Sequence, residues 1–152
     1  MEAPIRIEVG GTVVFETSRT AYGGRCSNKP ITAAQHTLPF LRGIRGHAQE
    51  HFIALYLDGA GYVLEARLIT TGLLDCNQVH PREVFRPAIA LPAAGIIAAH
   101  NHPSKTLEPS AEDIALTKRL ISAGKIIGIP ILDHIIVTAE GHISMRQVCH
   151  IF

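Results

Sequence analysis

The hydrophobic pattern sharpens after residue 46. Residues 52–57 (FIALYL) form a short apolar run closed by Asp58-Gly59-Ala60-Gly61, and residues 62–69 alternate apolar with polar positions, so the two segments predict a β-hairpin. Residues 79–91 predict a helix opened by Pro81, with Pro87 kinking or shortening it. Residues 93–99 (AAGIIAA) are apolar at both alternating sets of positions, as in a strand buried on two faces, and run directly into His100. Residues 111–123 predict a helix closed by Gly124. Residues 126–137 read as a further strand-like stretch interrupted by Pro130, which marks a start, an edge or a bulge. A turn at Glu140-Gly141 then leads to a short strand over residues 142–145. Earlier in the chain the signals are weaker: a strand or hairpin over residues 5–16, a Gly/Ser/Asn-rich loop over residues 18–30, and a helix near residues 32–42 weakened by Pro39.

Composition narrows this to one α/β domain. A chain of 152 residues, 47% apolar and 18% charged, supports one hydrophobic core, with residues 1–46 packing as a lead-in on the domain formed by residues 47–152. Net charge is +1 and the Lys and Arg residues are scattered, so a nucleic-acid partner is not indicated. Cys26, Cys76 and Cys149 show no Cys-x-x-Cys spacing and read as reduced thiols of a cytoplasmic protein. No segment has the form of a secretion signal or a membrane span.

Candidate chemistry is concentrated in residues 100–113, HNHPSKTLEPSAED. Two histidines one residue apart at a strand end point to the same side, as a shared metal ion requires. Ser110-x-x-Asp113 before an apolar helix is by itself the signature of an N-terminal capping box. Register adds to that: Asp113, Leu116, Thr117 and Leu120 share one helical face, which turns the aspartate toward the core, where an unpaired carboxylate is costly. His100, His102 and Asp113 would supply three N/O ligands and leave a fourth tetrahedral position for water, the arrangement of a catalytic zinc site.

His-x-His, seven residues, Ser, two residues and Asp resembles the JAMM motif of JAB/MPN metalloproteases. HNHPS with PSAEDIALT and IPILDHIIV is similar to the RadC branch, over about residues 49–144. The resemblance implies a compact mixed, largely antiparallel sheet flanked by helices, of cytidine-deaminase-like architecture. It also implies one zinc ion on His100, His102 and Asp113, and hydrolysis of an amide bond in a peptide or protein substrate. Glu50 stands in the family's upstream glutamate position and would move the proton of the attacking water, while the Ser110 hydroxyl stabilises the oxyanion. Glu65, its rival, falls opposite Leu64 and Leu68 in the strand alternation and is expected to face solvent.

Two features depart from the family's common form. Lys105 stands where many relatives have Gly and is expected to charge the rim of the site, and the lead-in lacks a helix-hairpin-helix pattern, which weakens any DNA-repair role. A non-catalytic MPN-type scaffold is the other alternative to a hydrolase. His134 is expected either to orient a ligand from behind or to be a hydrogen-bonded core residue, and Asn101 to point away from the metal and tie down a loop. His36, His47, His51, His80, His142 and His150 have no ligand spacing. The letters HNH carry no nuclease meaning, and the Pro-Cys-x-x-Cys pair of a nucleoside deaminase is missing. The apolar N-terminal strand offers an edge for a homodimer.

Overall fold

Strands β3 (His51–Leu57) and β5 (Gly95–Asn101) are buried at every position and pair antiparallel near the middle of a five-stranded sheet. The computed structural model describes residues 25–72 and 79–152 in full, and residues 5–9 and 12–17 as backbone. The sheet order is β4 (Val63–Thr71), β3, β5, β6 (Ile131–Val137), β7 (His142–Ser144). Only β5 and β6 run parallel; the other pairings are antiparallel. Backbone pairing of β1 (Ile5–Val9) with β2 (Thr12–Thr17) makes a separate hairpin. The α/β class and the mixed, largely antiparallel sheet match the expectation from sequence.

Strand alternation divides the core into two layers. On one face Ile53, Leu55, Leu57, Ile97, Ala99, Ile135 and Val137 pack with Leu41 and Ile44 of the lead-in. The lead-in is tied there by Cys26 N–H to the Val63 carbonyl at 2.6 Å and Ile31 N–H to the Gly61 carbonyl at 2.8 Å. On the other face Phe52, Ala54, Tyr56, Ile96 and Ala98 pack against α2 (Pro81–Ala90) and α3 (Ala111–Ile127) through Val84, Phe85, Ala88 and Leu120. His100 continues the parity of Ile96 and Ala98, so it faces the helices; Asn101 faces the lead-in. A register shift between Ile131 and Asp133 resets β6, so that Ile131 and His134 both reach the helical side while Ile135 and Val137 reach the other.

Several predicted boundaries move. The strand expected to stop before His100 includes both His100 and Asn101. The helix near residues 32–42 is a 3-10 turn (Ala34–Thr37) followed by one short helix, α1 (Leu38–Leu41). Helix α2 continues through Pro87, which is buried; the packing of its neighbours Val84, Phe85 and Ala88 on the sheet outweighs the one hydrogen bond that proline removes. The final strand ends at Ser144, whose hydroxyl caps α4 (Met145–Val148). Residues 18–24 of the predicted loop, and Cys76, lie outside the described residues; the Cys26 thiol donates to the Leu64 carbonyl at 2.9 Å, and Cys149 is a free thiol.

Gly124 does not close α3. The helix runs to Ile127 and ends at Gly128, whose φ of 84° is the left-handed cap that glycine adopts without strain. Gly124 is instead a close-approach position: a Cβ there would stand 2.6 Å from the Ile129 carbonyl oxygen. The apolar stretch beginning at residue 126 therefore splits into a helix end and β6, with Ile126 87% exposed. Gly124→Ala should destabilise the fold by about 1–3 kcal/mol, despite the roughly 1 kcal/mol that alanine gains over glycine within a helix. Denaturant titration checks this, and a Gly124→Ala protein as stable as the parent contradicts the packing of α3 on residues 129–131.

Candidate metal centre

Three side chains converge where β5 ends and α3 begins. His100 Nε2 lies 3.1 Å from Asp113 Oδ1, His102 Nε2 lies 3.1 Å from Asp113 Oδ2, and the two Nε2 atoms are 2.9 Å apart. His100 is delivered by β5; His102 follows in a loop whose backbone His102 N–H is held by the Val137 carbonyl at 2.9 Å. Asp113 is the third residue of α3. All three are largely shielded, with side-chain exposures of 2%, 11% and 11%.

The capping and ligand readings of Asp113 prove compatible. The Ser110 hydroxyl accepts from Asp113 N–H at 3.0 Å, and Asp113 Oδ2 accepts from Ser110 N–H at 2.8 Å, completing the capping box. That box fixes the carboxylate with both oxygens toward the histidines. It also leaves the Ser110 hydroxyl hydrogen available, since the oxygen only accepts in the cap.

The donor set fits a metal ion. His102 Nδ1 lies 2.8 Å from the Thr106 carbonyl, which can only accept, so Nδ1 carries the hydrogen and Nε2 of the neutral ring presents a lone pair. Bare imidazole nitrogens and carboxylate oxygens at these distances repel unless a cation stands among them. The spacings are close to the roughly 3.3 Å between ligands around a tetrahedral zinc with bonds of about 2.0–2.1 Å. These are the His, Cys, Asp and Glu residues that could jointly hold a metal among the described residues.

Without a metal, a proton takes that place. The Asp113 carboxylate raises the proton affinity of His102 against the opposing effect of burial. Burial by itself would raise the Asp113 carboxyl, but hydrogen bonding and charge from His100 and His102 outweigh it and hold it well below the usual carboxylate range. Burial, reinforced by His100, keeps His134 neutral across the physiological range.

Glu50 precedes β3 and is half-buried in the wall of the same cleft as His100, His102, Ser110 and Asp113. Its backbone is fixed from both sides: the Glu50 carbonyl accepts from Gly72 N–H at 2.8 Å, while Asn101 donates to the Gln49 carbonyl at 2.8 Å and accepts from His51 N–H at 2.7 Å. Asn101 thus points away from the metal ligands and secures the segment carrying Glu50, as the sequence suggested. His134 contacts His100 from behind, Nε2 to Nδ1 at 2.7 Å, so it is both buried and a partner of a candidate ligand.

One expectation is corrected. Glu65 does not face solvent: it is 3% exposed and ion-paired to Arg67, because β4 is covered on both sides along its first half. Lys105 is exposed between Ser104 and Thr106, which line the cleft; its ammonium lies 4.0 Å from Glu140 Oε1, and its backbone takes a φ of 65°, a conformation that glycine adopts more readily. Sequence reasoning did not single out Thr117 as a polar partner of the site, although its place one turn after Asp113 on the buried face was the available signal.

Fold and geometry together define an α/β domain with a candidate two-histidine, one-aspartate metal centre. The chain belongs to the RadC-like JAB domain family, whose profile matches residues 31–150. It is similar to a UPF0758 protein of Methanospirillum hungatei, 48% identical over 78% of this chain and 53% of the relative. UPF0758 proteins of a Geobacillus species and of Bacillus cereus are 42% and 43% identical, over 93% and 88% of this chain and 60% and 58% of theirs. The chain therefore spans a little over half the length of these curated relatives. Among the described residues, no helix is long and apolar enough to cross a membrane.

Proton and metal compete for the same pocket, which gives a pH dependence. His102 is raised above its ordinary 6.5, so its pairing with Asp113 stabilises the metal-free protein fully below that value. That contribution disappears as pH rises through the raised value. Metal binding requires the deprotonated ring, so the gain in melting temperature on adding zinc should be larger at pH 8 than at pH 5.5. Thermal melts with zinc and with chelator check this; a zinc-induced gain independent of pH contradicts it.

Proposed function

We propose that this domain is a zinc-dependent hydrolase of amide bonds, a peptidase or isopeptidase. The observation that supports it most is the convergence of two histidine nitrogens and a carboxylate on one point in a cleft that also carries Glu50 and Ser110. Zinc, when bound, supplies Lewis acidity that polarises a carbonyl and makes water nucleophilic near neutral pH.

The protein's own groups then have separable tasks. Glu50 accepts the proton of the attacking water and returns it to the leaving amine, bridging the two halves of the reaction with one carboxylate. The Ser110 hydroxyl, its oxygen already engaged in the helix cap, donates its hydrogen to the oxyanion. Asn101 holds the peptides on either side of Glu50, which fixes the backbone that carries this carboxylate in the cleft wall. The cleft is open, about 1430 Å³ in volume, larger than the roughly 300–1,000 Å³ typical of a small-molecule pocket. That size favours an extended polypeptide as substrate.

Glu50→Gln should lower hydrolysis of a susceptible peptide or isopeptide by at least about 100-fold while zinc content stays that of the parent. Peptide-library profiling of both proteins measures it. Equal turnover by the two proteins, with zinc bound, contradicts the role of Glu50; no turnover by the zinc-loaded parent on any library member favours a binding module instead.

A further inference from the structure

Behind the candidate ligands lies a buried polar chain that the hydrolytic scheme does not use. His134, with no exposure, places Nε2 2.7 Å from His100 Nδ1 and Nδ1 2.6 Å from the Thr117 hydroxyl. Thr117, equally buried, stands 2.6 Å from the backbone carbonyl oxygen of Asp113 one turn earlier in α3. His100 Nε2 in turn faces the Asp113 carboxylate at 3.1 Å. The contacts therefore form a ring that begins on the carbonyl of Asp113 and returns to its side chain.

Two polarities could close this ring, and the Thr117 hydroxyl selects between them. It stands 2.6 Å from the Asp113 carbonyl oxygen, which can only accept, and donates its single hydrogen there. The hydroxyl then offers His134 only lone pairs, and His134 Nδ1 must carry the hydrogen. A fully buried imidazolium with no carboxylate in contact would be expensive, so His134 is neutral and its Nε2 is an acceptor. His100 Nδ1 must therefore donate, which leaves the lone pair of His100 Nε2 facing His102 and Asp113.

We propose that Thr117 and His134 are positioning residues that lock His100 in its Nδ1–H tautomer, presenting Nε2 as a ready metal ligand. The lock rests on the metal reading above and adds to it a reason why two polar side chains occupy the apolar layer between α3 and β6. Because the acceptor at the far end is the Asp113 carbonyl, the ring also ties the orientation of one candidate ligand to the backbone of another. His102 obtains the same tautomer independently from the Thr106 carbonyl, so a fault in the ring should affect His100 alone.

Thr117→Val removes the hydroxyl at constant shape, and Thr117→Ser restores it. With zinc affinity measured by competition against a chromophoric chelator, T117V should bind about 10- to 100-fold more weakly than the parent and T117S nearly as well as the parent. Long-range proton–nitrogen NMR of the unaltered, metal-free protein at pH 8 should show His100 and His134 both protonated at Nδ1, a readout that does not depend on any variant folding. The Nε2–H tautomer at His100, or parent-like zinc affinity in a folded T117V protein, overturns the lock while leaving the metal site standing. Failure of the parent itself to bind zinc overturns both.

Discussion

A fully buried imidazole at position 100 needs both ring nitrogens satisfied, and much of the domain is arranged around that need. His100 sits at the end of a central strand, paired across to Phe52 and Ile136, and is only 1% exposed at the floor of the cleft. One nitrogen is met by His134, which is carried to the right face only because β6 shifts register between Ile131 and Asp133. The other faces the Asp113 carboxylate, held by the cap of the helix that connects β5 to β6, and is satisfied there only by a shared cation or proton. The parallel β5–β6 pairing, the intervening helix and its capping box are thus parts of one solution to a solvation problem. The same solution leaves a cluster of lone pairs that a divalent cation would satisfy.

The strand alternation that aims His100 at the helices aims Asn101 at the opposite face. There its amide bonds to the backbone on both sides of Glu50, so adjacent residues of one strand organise the two halves of the proposed site. This economy explains why the site can be held rigidly in a small domain. The groups that would do chemistry are fixed by main-chain bonds and a helix cap instead of by long side chains packed against one another.

Much of this was legible in the sequence where a short-range rule applied. His100 and His102 followed from a two-residue period, and Asp113 from the helical register it shares with Thr117 and Leu120; the layered α/β class followed from the doubly apolar residues 93–99. What was not legible depended on contacts distant in the chain. Glu65 looked solvent-facing because alternation shows which residues share a side but not whether that side is covered. Gly124 looked like a helix stop because a close approach to Ile129 leaves no local mark, and the true stop, Gly128, lay in an apolar run that read as strand. Thr117 was visible as a buried position, but its hydroxyl acquires a role only once His134 arrives from β6.

His100, His102 and Asp113 are placed to hold one metal ion through the two Nε2 atoms and a carboxylate oxygen. Anomalous diffraction at the zinc absorption edge, from crystals of the zinc-loaded protein, locates that ion. One strong peak per chain is expected, about 2.0–2.2 Å from His100 Nε2, His102 Nε2 and an Asp113 oxygen. A zinc-loaded crystal with no peak among these three side chains, or with zinc bound through His100 Nδ1, would contradict that placement.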